Sequence, residues 1–211
     1  MENEGIDILQ FNSEQCVDLV IRYVQNLVDE HKMKQSAPAG RRRSHVDSLQ
    51  EGVIRRLQPQ PPLLGSDQFE NSNPELYTNP SYAIKQYQFF WLSNPPVLSI
   101  ADYIHRFHRY CKPSPATYIS IGNIFHNIVS RNIIPITERN AFRLFSSVFM
   151  ISSKAIEDEL RSMKRYASIA GLKENELKRL ELSILLLIEY DLRVDHDSLQ
   201  SNLSKWIHTV K

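Results

Sequence analysis

Apolar residues return at helical spacing through most of the chain. Val17, Val20, Ile21, Val24, Leu27 and Val28 make one stripe across about residues 13–32, and Asp18, Arg22, Gln25, Asn26 and Asp29 take the opposite face. Asn12 is placed as an N-cap with Gln15 reaching back to it, and Phe11 and Cys16 bracket the start as a hydrophobic staple. The pattern lapses over 33–66, where Arg41-Arg42-Arg43-Ser44 and Gln58-Pro59-Gln60-Pro61-Pro62 predict a linker with one short helix at about 46–57. Residues 66–80 are polar and turn-rich. An aromatic cluster (Tyr82, Tyr87, Phe89, Phe90, Trp91) then leads to Asn94-Pro95-Pro96, which reads as a boundary.

From residue 98 onward the pattern is one of packed helices. The first is predicted over 99–111. The second has Ser114 as N-cap and Pro115 at its first position and runs to about 131. The third opens at Thr137, after Pro135, and runs through Lys154, with Ala141, Leu144, Phe145, Val148, Phe149 and Ser152 as its buried stripe. A short fourth spans 163–169, and Gly171 suits the left-handed residue that ends such a helix. The fifth, 174–190, is apolar nearly all round and is expected to be the central, enclosed helix; a sixth covers 198–209. No alternating strand pattern and no fixed-period repeat appears. The expectation is an all-α protein: an N-terminal amphipathic helix (1–33), a Pro- and Arg-containing connector with the aromatic lead-in (34–93), and a compact five-helix domain with an added C-terminal helix (94–211).

Composition narrows the chemistry. The 211 residues are 42% hydrophobic and 23% charged, with a net charge of +1, so electrostatics give no drive toward nucleic acid or an anionic membrane. Two distant cysteines, Cys16 and Cys111, are no disulfide framework. The first residues show no secretory pattern and no apolar run is long enough to span a bilayer, so the expected location is cytoplasmic, nuclear or both, and the Asn202 sequon carries no weight. His105, His108 and Cys111 are spaced H-x-x-H-x-x-C but drift around a helix with no fourth ligand, which argues against a metal site. Glu157-Asp158-Glu159 is expected to be a solvated loop. Arg41–Arg43 with Ser44 fits a soluble tether at least as well as a nuclear signal, a phosphorylation site or a phosphate-binding patch. No phosphate loop, nucleophile or acid–base set is visible among these residues, so no cofactor is expected and the chain is not read as an enzyme.

Two charges stand out against this background. Lys154 ends one apolar helical run and Glu181 interrupts another. Charges at the rim of neighbouring core helices pack poorly in a lone domain and make sense if they point at a partner.

The residues 95–194 resemble the cyclin box, most closely that of the phosphate-pathway (P/U-type) cyclins. The matching pieces come in order: Ser99-Ile100-Ala101-Asp102-Tyr103-Ile104-His105-Arg106-Phe107, Ile124-Phe125-His126-Asn127-Ile128-Val129, Asn140-Ala141-Phe142-Arg143-Leu144, Ser153-Lys154-Ala155-Ile156-Glu157-Asp158, Tyr166-Ala167-Ser168-Ile169-Ala170-Gly171 and Glu176-Leu177-Lys178-Arg179-Leu180-Glu181. The resemblance implies a regulatory subunit that binds and activates a cyclin-dependent protein kinase, with ATP and Mg²⁺ belonging to that kinase and with kinase substrates or inhibitors as further partners. It implies a kinase-binding surface of Ile151, Lys154, Ala155, Glu181, Leu182, Leu185 and Leu192. It also implies an internal bond between Arg106 and the position held here by Asn127, where the family usually has an aspartate; Asp102 or another acid is an alternative partner for Arg106. Two rival readings are a cyclin-fold transcription-associated module without a kinase partner, expected to show a basic face, and a helical-bundle enzyme, expected to show converging titratable groups.

Overall fold

The computed structural model describes residues 11–36 and 88–192, together with Asp197, Gln200 and Leu203. The linker with Arg41–Arg43, Ser44 and the expected helix at 46–57 lies outside the described residues. So does most of the helix expected at 198–209, of which Gln200 and Leu203 are helical and Leu203 is buried. Among the described residues all regular structure is helical: α1 (Ser13–Ser36), α2 (Ile100–Cys111), α3 (Pro115–Ser130), α4 (Ala141–Ile156), α5 (Met163–Ala170) and α6 (Glu174–Leu187).

Local chemistry sets most of the helix ends. The Asn12 carboxamide accepts the Gln15 N–H at 2.8 Å and the Gln15 side chain accepts the Asn12 N–H at 3.0 Å, a complete capping box at the start of α1. Ser99 caps α2 by accepting the Asp102 N–H at 3.0 Å. Gly171 ends α5 at φ +70, where the Leu172 N–H reaches the Ala167 carbonyl at 2.9 Å. The α4 region departs from expectation: 137–140 form a separate turn in which Asn140, fully buried, accepts the Thr137 N–H (2.8 Å) and donates to the Pro135 carbonyl (2.8 Å). The helix therefore begins at Ala141 rather than Thr137.

Helix α4, not α6, is the enclosed element. Twelve of its 16 residues are buried, against four of 14 in α6. It packs on α3, α6 and α2, while α1 lies on α2 and α3, and α5 on α6 and α2. Its serines explain the reversal. Ser146 and Ser147 donate to the carbonyls of Phe142 and Leu144, and Ser152 accepts from Ser120 of α3, so small hydroxyls sit in the core with their bonds made. An aromatic cluster of Tyr103, Phe107, Phe142, Phe145 and Phe149 fills the space between α2 and α4, mostly edge to face. The buried Tyr103 hydroxyl bonds Ser146 (2.5 Å) and the Ala170 carbonyl (3.0 Å).

The division at residue 94 does not match the packing. Cys16, Val17, Val20, Tyr23, Val24 and Val28 of α1 and Phe90 of the lead-in belong to the same core as α2–α6. Arg143 on α4 holds the lead-in by donating to the Phe89 carbonyl (2.8 Å), and it forms a close ion pair with Glu176 of α6. Leu92 and Arg139 exchange two further bonds, 2.7 and 2.9 Å.

Glu157 is not a solvated loop residue. Its Oε1 accepts the Ser114 N–H (2.8 Å), the Ser114 hydroxyl (2.8 Å) and the Thr117 hydroxyl (2.5 Å). A carboxylate from the end of α4 thus satisfies the N-terminus of α3, the role expected of Ser114 alone. Replacement Glu157→Ala leaves the fully buried Thr117 hydroxyl with only a long 3.4 Å bond to the Ser114 hydroxyl and is expected to lower the unfolding free energy by about 1–3 kcal/mol. Urea denaturation measures this, and a loss below about 0.5 kcal/mol would mean that water replaces the carboxylate.

Burial raises the Cys16 and Cys111 thiols from 9.0 to about 11 and Tyr103 from 10.0 to about 12. These neutral groups keep their protons in the fold at a pH where the unfolded chain releases them. The sign follows: stability is intact below the unfolded value of 9.0 and falls as pH climbs toward 11. Urea midpoints are expected to be unchanged up to about pH 8 and to decline from about pH 9, and a midpoint rising across that window would contradict the burial of these groups.

Candidate functional site

The α4–α6 contact brings Lys154 and Glu181 together. Leu177, Leu180 and Ile184 turn one face of α6 inward and Ser183 joins them by bonding the Arg179 carbonyl, which leaves Glu181 on the edge of that face beside α4. Lys154 occupies the last turn of α4, where the helix dipole favours a cation. Its Nζ donates to Glu181 Oε1 at 2.5 Å. The lysine side chain is 39% exposed and the glutamate 18%. An ion pair this wet contributes at most about 1 kcal/mol to folding. Its larger consequence is geometric: each charge fixes the other, while two ammonium protons and the second carboxylate oxygen remain for another molecule.

The apolar residues expected around the pair differ in exposure. Ala155 is exposed, Leu182 is 43% exposed, and Leu185 and Leu192 are half-buried against the core. Ile151 is 2% exposed and belongs to the interior of α4, so it supports the surface from beneath and offers nothing to a partner. Leu192 follows Glu189 and Tyr190, two non-glycine residues at φ 57 and 56. The Tyr190 N–H bonds the Leu185 carbonyl at 2.8 Å and Glu189 pairs with Arg131 at 2.9 Å, and these contacts hold the turn that returns Leu192 to the domain.

The expected bond between Arg106 and Asn127 is not formed. Arg106 is exposed on α2 and donates to the Ser168 carbonyl of α5 at 3.2 Å, while Asn127 lies in the last turns of α3. The arginine serves as a tie between α2 and α5. The three residues weighed as metal ligands also go separate ways: His108 bonds the Tyr118 hydroxyl at 2.9 Å, His105 is exposed, and Cys111 is half-buried against the core. Among the described residues no group of three or more candidate ligands converges, and no helix is long and apolar enough to cross a membrane. Sequence reasoning missed Glu157 as a cap, because its donors lie about 40 positions away and carry no local signature.

A buried helix with others packed around it, and a charged pair where that helix, α4, meets α6, agree with the cyclin-box resemblance. The family model described as Cyclin matches residues 21–192, from within α1 to just beyond α6, and the chain belongs to the cyclin family. It is similar to Cyclin-U3-1 of Arabidopsis thaliana, 28% identical over 102 residues (48% of this chain, 46% of that protein). It is similar also to Cyclin-P2-1 of Oryza sativa subsp. japonica, 29% identical over 104 residues (49% and 48%). PHO85 cyclin-7 of Saccharomyces cerevisiae is 27% identical over 124 residues (53% and 43%). The chain spans about half the length of the curated relatives it matches. These relatives agree with the resemblance to P- and U-type cyclins read from the motifs.

Because Arg106 is already bonded to Ser168, Asn127→Asp gains no internal salt bridge, and it adds a negative charge near the C-terminus of α3. The melting temperature is expected to stay level or fall by roughly 1–3 °C. A rise of several degrees in thermal unfolding would restore the Arg106–Asn127 pairing.

Proposed function

We propose that the chain is the regulatory subunit of a cyclin-dependent protein kinase and activates it by seating the kinase's mobile helix on the α4–α6 seam. The observation that carries this reading is the Lys154–Glu181 pair at 2.5 Å, partly open to solvent and bordered by exposed Ala155 and Leu182. A movable helix needs an apolar seat for adhesion and fixed charges for register, and this seam supplies both. Lys154 would meet acceptors on the docked helix, Glu181 would meet donors, and Leu182, Leu185 and Leu192 would provide the apolar contact. Ile151 acts through the position it gives its neighbours.

The mechanism is positional. Docking shifts the mobile helix toward the arrangement in which the kinase's own lysine–glutamate pair and metal-binding aspartate align. This chain contributes no reacting group, and ATP and Mg²⁺ stay with the kinase. Other residues around the seam must contribute, since signalling assemblies of this kind bury about 2,000 Å² or more.

Lys154→Ala combined with Glu181→Ala tests the reading. The pair lies at the surface end of the α4–α6 contact, and circular dichroism of the double variant checks that the fold is retained. Kinase capture from lysate is expected to weaken by about 30-fold to several thousand-fold, the equivalent of about 2–5 kcal/mol, and co-purified histone-kinase activity is expected to vanish. Activity that survives both replacements would remove the seam from the interface.

A further inference from the structure

Helices α2 and α5 pack side by side, and their exposed stripes border a cleft of about 550 Å³. On α2 the stripe is Asp102, His105, Arg106, Arg109 and Tyr110; on α5 it is Arg165 and Ser168, with buried Ile169 beneath. Both stripes follow helical spacing, so the same turns that bury Tyr103, Ile104 and Phe107 in the core aim the guanidinium groups into one space. Three guanidiniums therefore share a cleft with a single carboxylate. That carboxylate, Asp102, already accepts the Ser99 hydroxyl at 2.6 Å.

Among the described residues none of the three arginines is ion-paired. Arg106 spends one N–H on the Ser168 carbonyl, which leaves four and fixes its direction. Arg165 lies over the Tyr110 ring, 5.8 Å from its centre, so its plane is also held. Clustered like charges in a chain of net charge +1 repel one another and call for a compensating anion.

We propose that the α2–α5 cleft binds a phosphorylated serine or threonine of a protein partner, with Arg106, Arg109 and Arg165 holding the phosphate. A phosphate presents three acceptor oxygens and nearly two negative charges, which suits several guanidinium forks at once, whereas a carboxylate satisfies one. The Tyr110 ring, 47% exposed at the rim, gives apolar contact to the residues flanking the phosphate. Nucleic acid is the poorer fit, because the basic groups stop at the cleft and the chain is near neutral, whereas a polynucleotide requires a continuing basic track. The choice of a phosphorylated protein rests on the regulatory reading above. The cleft shares no residue with the Lys154–Glu181 seam, so the site would let a kinase complex engage partners that are already phosphorylated.

The test uses the full chain alone. It is titrated with a degenerate library of phosphoserine and phosphothreonine peptides, with the same library unphosphorylated, with inorganic phosphate and with a single-stranded oligonucleotide, while NMR follows the arginine side-chain N–H signals. The phosphorylated library is expected to shift the signals of Arg106, Arg109 and Arg165 and to bind at least tenfold more tightly than inorganic phosphate or the unphosphorylated library. Arg109→Gln with Arg165→Gln, both at exposed positions, is expected to reduce that binding at least tenfold without altering the melting temperature or kinase capture. Equal binding of both libraries, tighter binding of the oligonucleotide, no gain over inorganic phosphate, or undiminished binding by the double variant would each overturn the proposal. Loss of kinase capture through Lys154 and Glu181 replacement bears on the regulatory reading alone, since phosphopeptide binding by the isolated chain does not depend on it.

Discussion

A helix enclosed by its neighbours must bond most of the polar groups it turns toward them, and α4 does so with small hydroxyls that reach either its own backbone or an adjoining helix. Ser146 and Ser147 turn back to their own helix, Ser152 shares a bond with Ser120, and Tyr103 uses Ser146 as one of its two partners. With serines, α3 and α6 approach α4 closely while α2 adds the aromatic cluster on a further side. The positions of α1 and α5 in the outer layer follow, because the faces of α4 are already taken.

The same enclosure directs charge to the C-terminal end of α4. Two ionisable residues there, three positions apart, do opposite jobs. Glu157 turns inward and gathers three donors from the start of α3, which locks α3 to α4. Lys154 turns outward to Glu181 of α6, which keeps two charges in register on a surface that also exposes Leu182. One carboxylate closes the fold and the other marks the seam where the proposed kinase helix would sit. The basic cleft between α2 and α5 is chemically unlike that seam: one is apolar with a balanced charge pair, the other has an excess of guanidinium. Two surfaces with such different preferences suit a protein whose proposed work is to bring other proteins together.

Helix α1 and the lead-in residues show how far the packed unit extends beyond the motif-bearing region. Phe90 is fully buried, and Arg143 joins the lead-in to α4 and, through Glu176, to α6. Tyr23 of α1 meets His126 of α3 at 3.3 Å and Lys32 meets Glu138 at 2.6 Å. Pro95 and Pro96 look like a border in sequence, yet the chain before them is held by bonds to residues about 50 positions later.

Much was legible in the residue pattern. The capping box at Asn12 and Gln15, the left-handed Gly171 and the α1 stripe depend on partners within a few positions, so spacing alone reveals them. Lys154 and Glu181 were legible as charges out of place in apolar runs, and the family resemblance named their neighbours. Which helix is central was not legible: the leucines of α6 looked more like a core than the serines of α4, because a hydrophobicity pattern cannot register that a buried hydroxyl has bonded its own backbone. Nor could spacing reveal that Glu157 caps another helix, that Ile151 faces inward, or that Arg106 ties to Ser168 beside two further arginines. The amino-acid order determined where helices form, since their bonds are local; only the folded chain decided which faces meet, since each of those contacts joins groups tens of residues apart whose alignment exists once α4 has been covered.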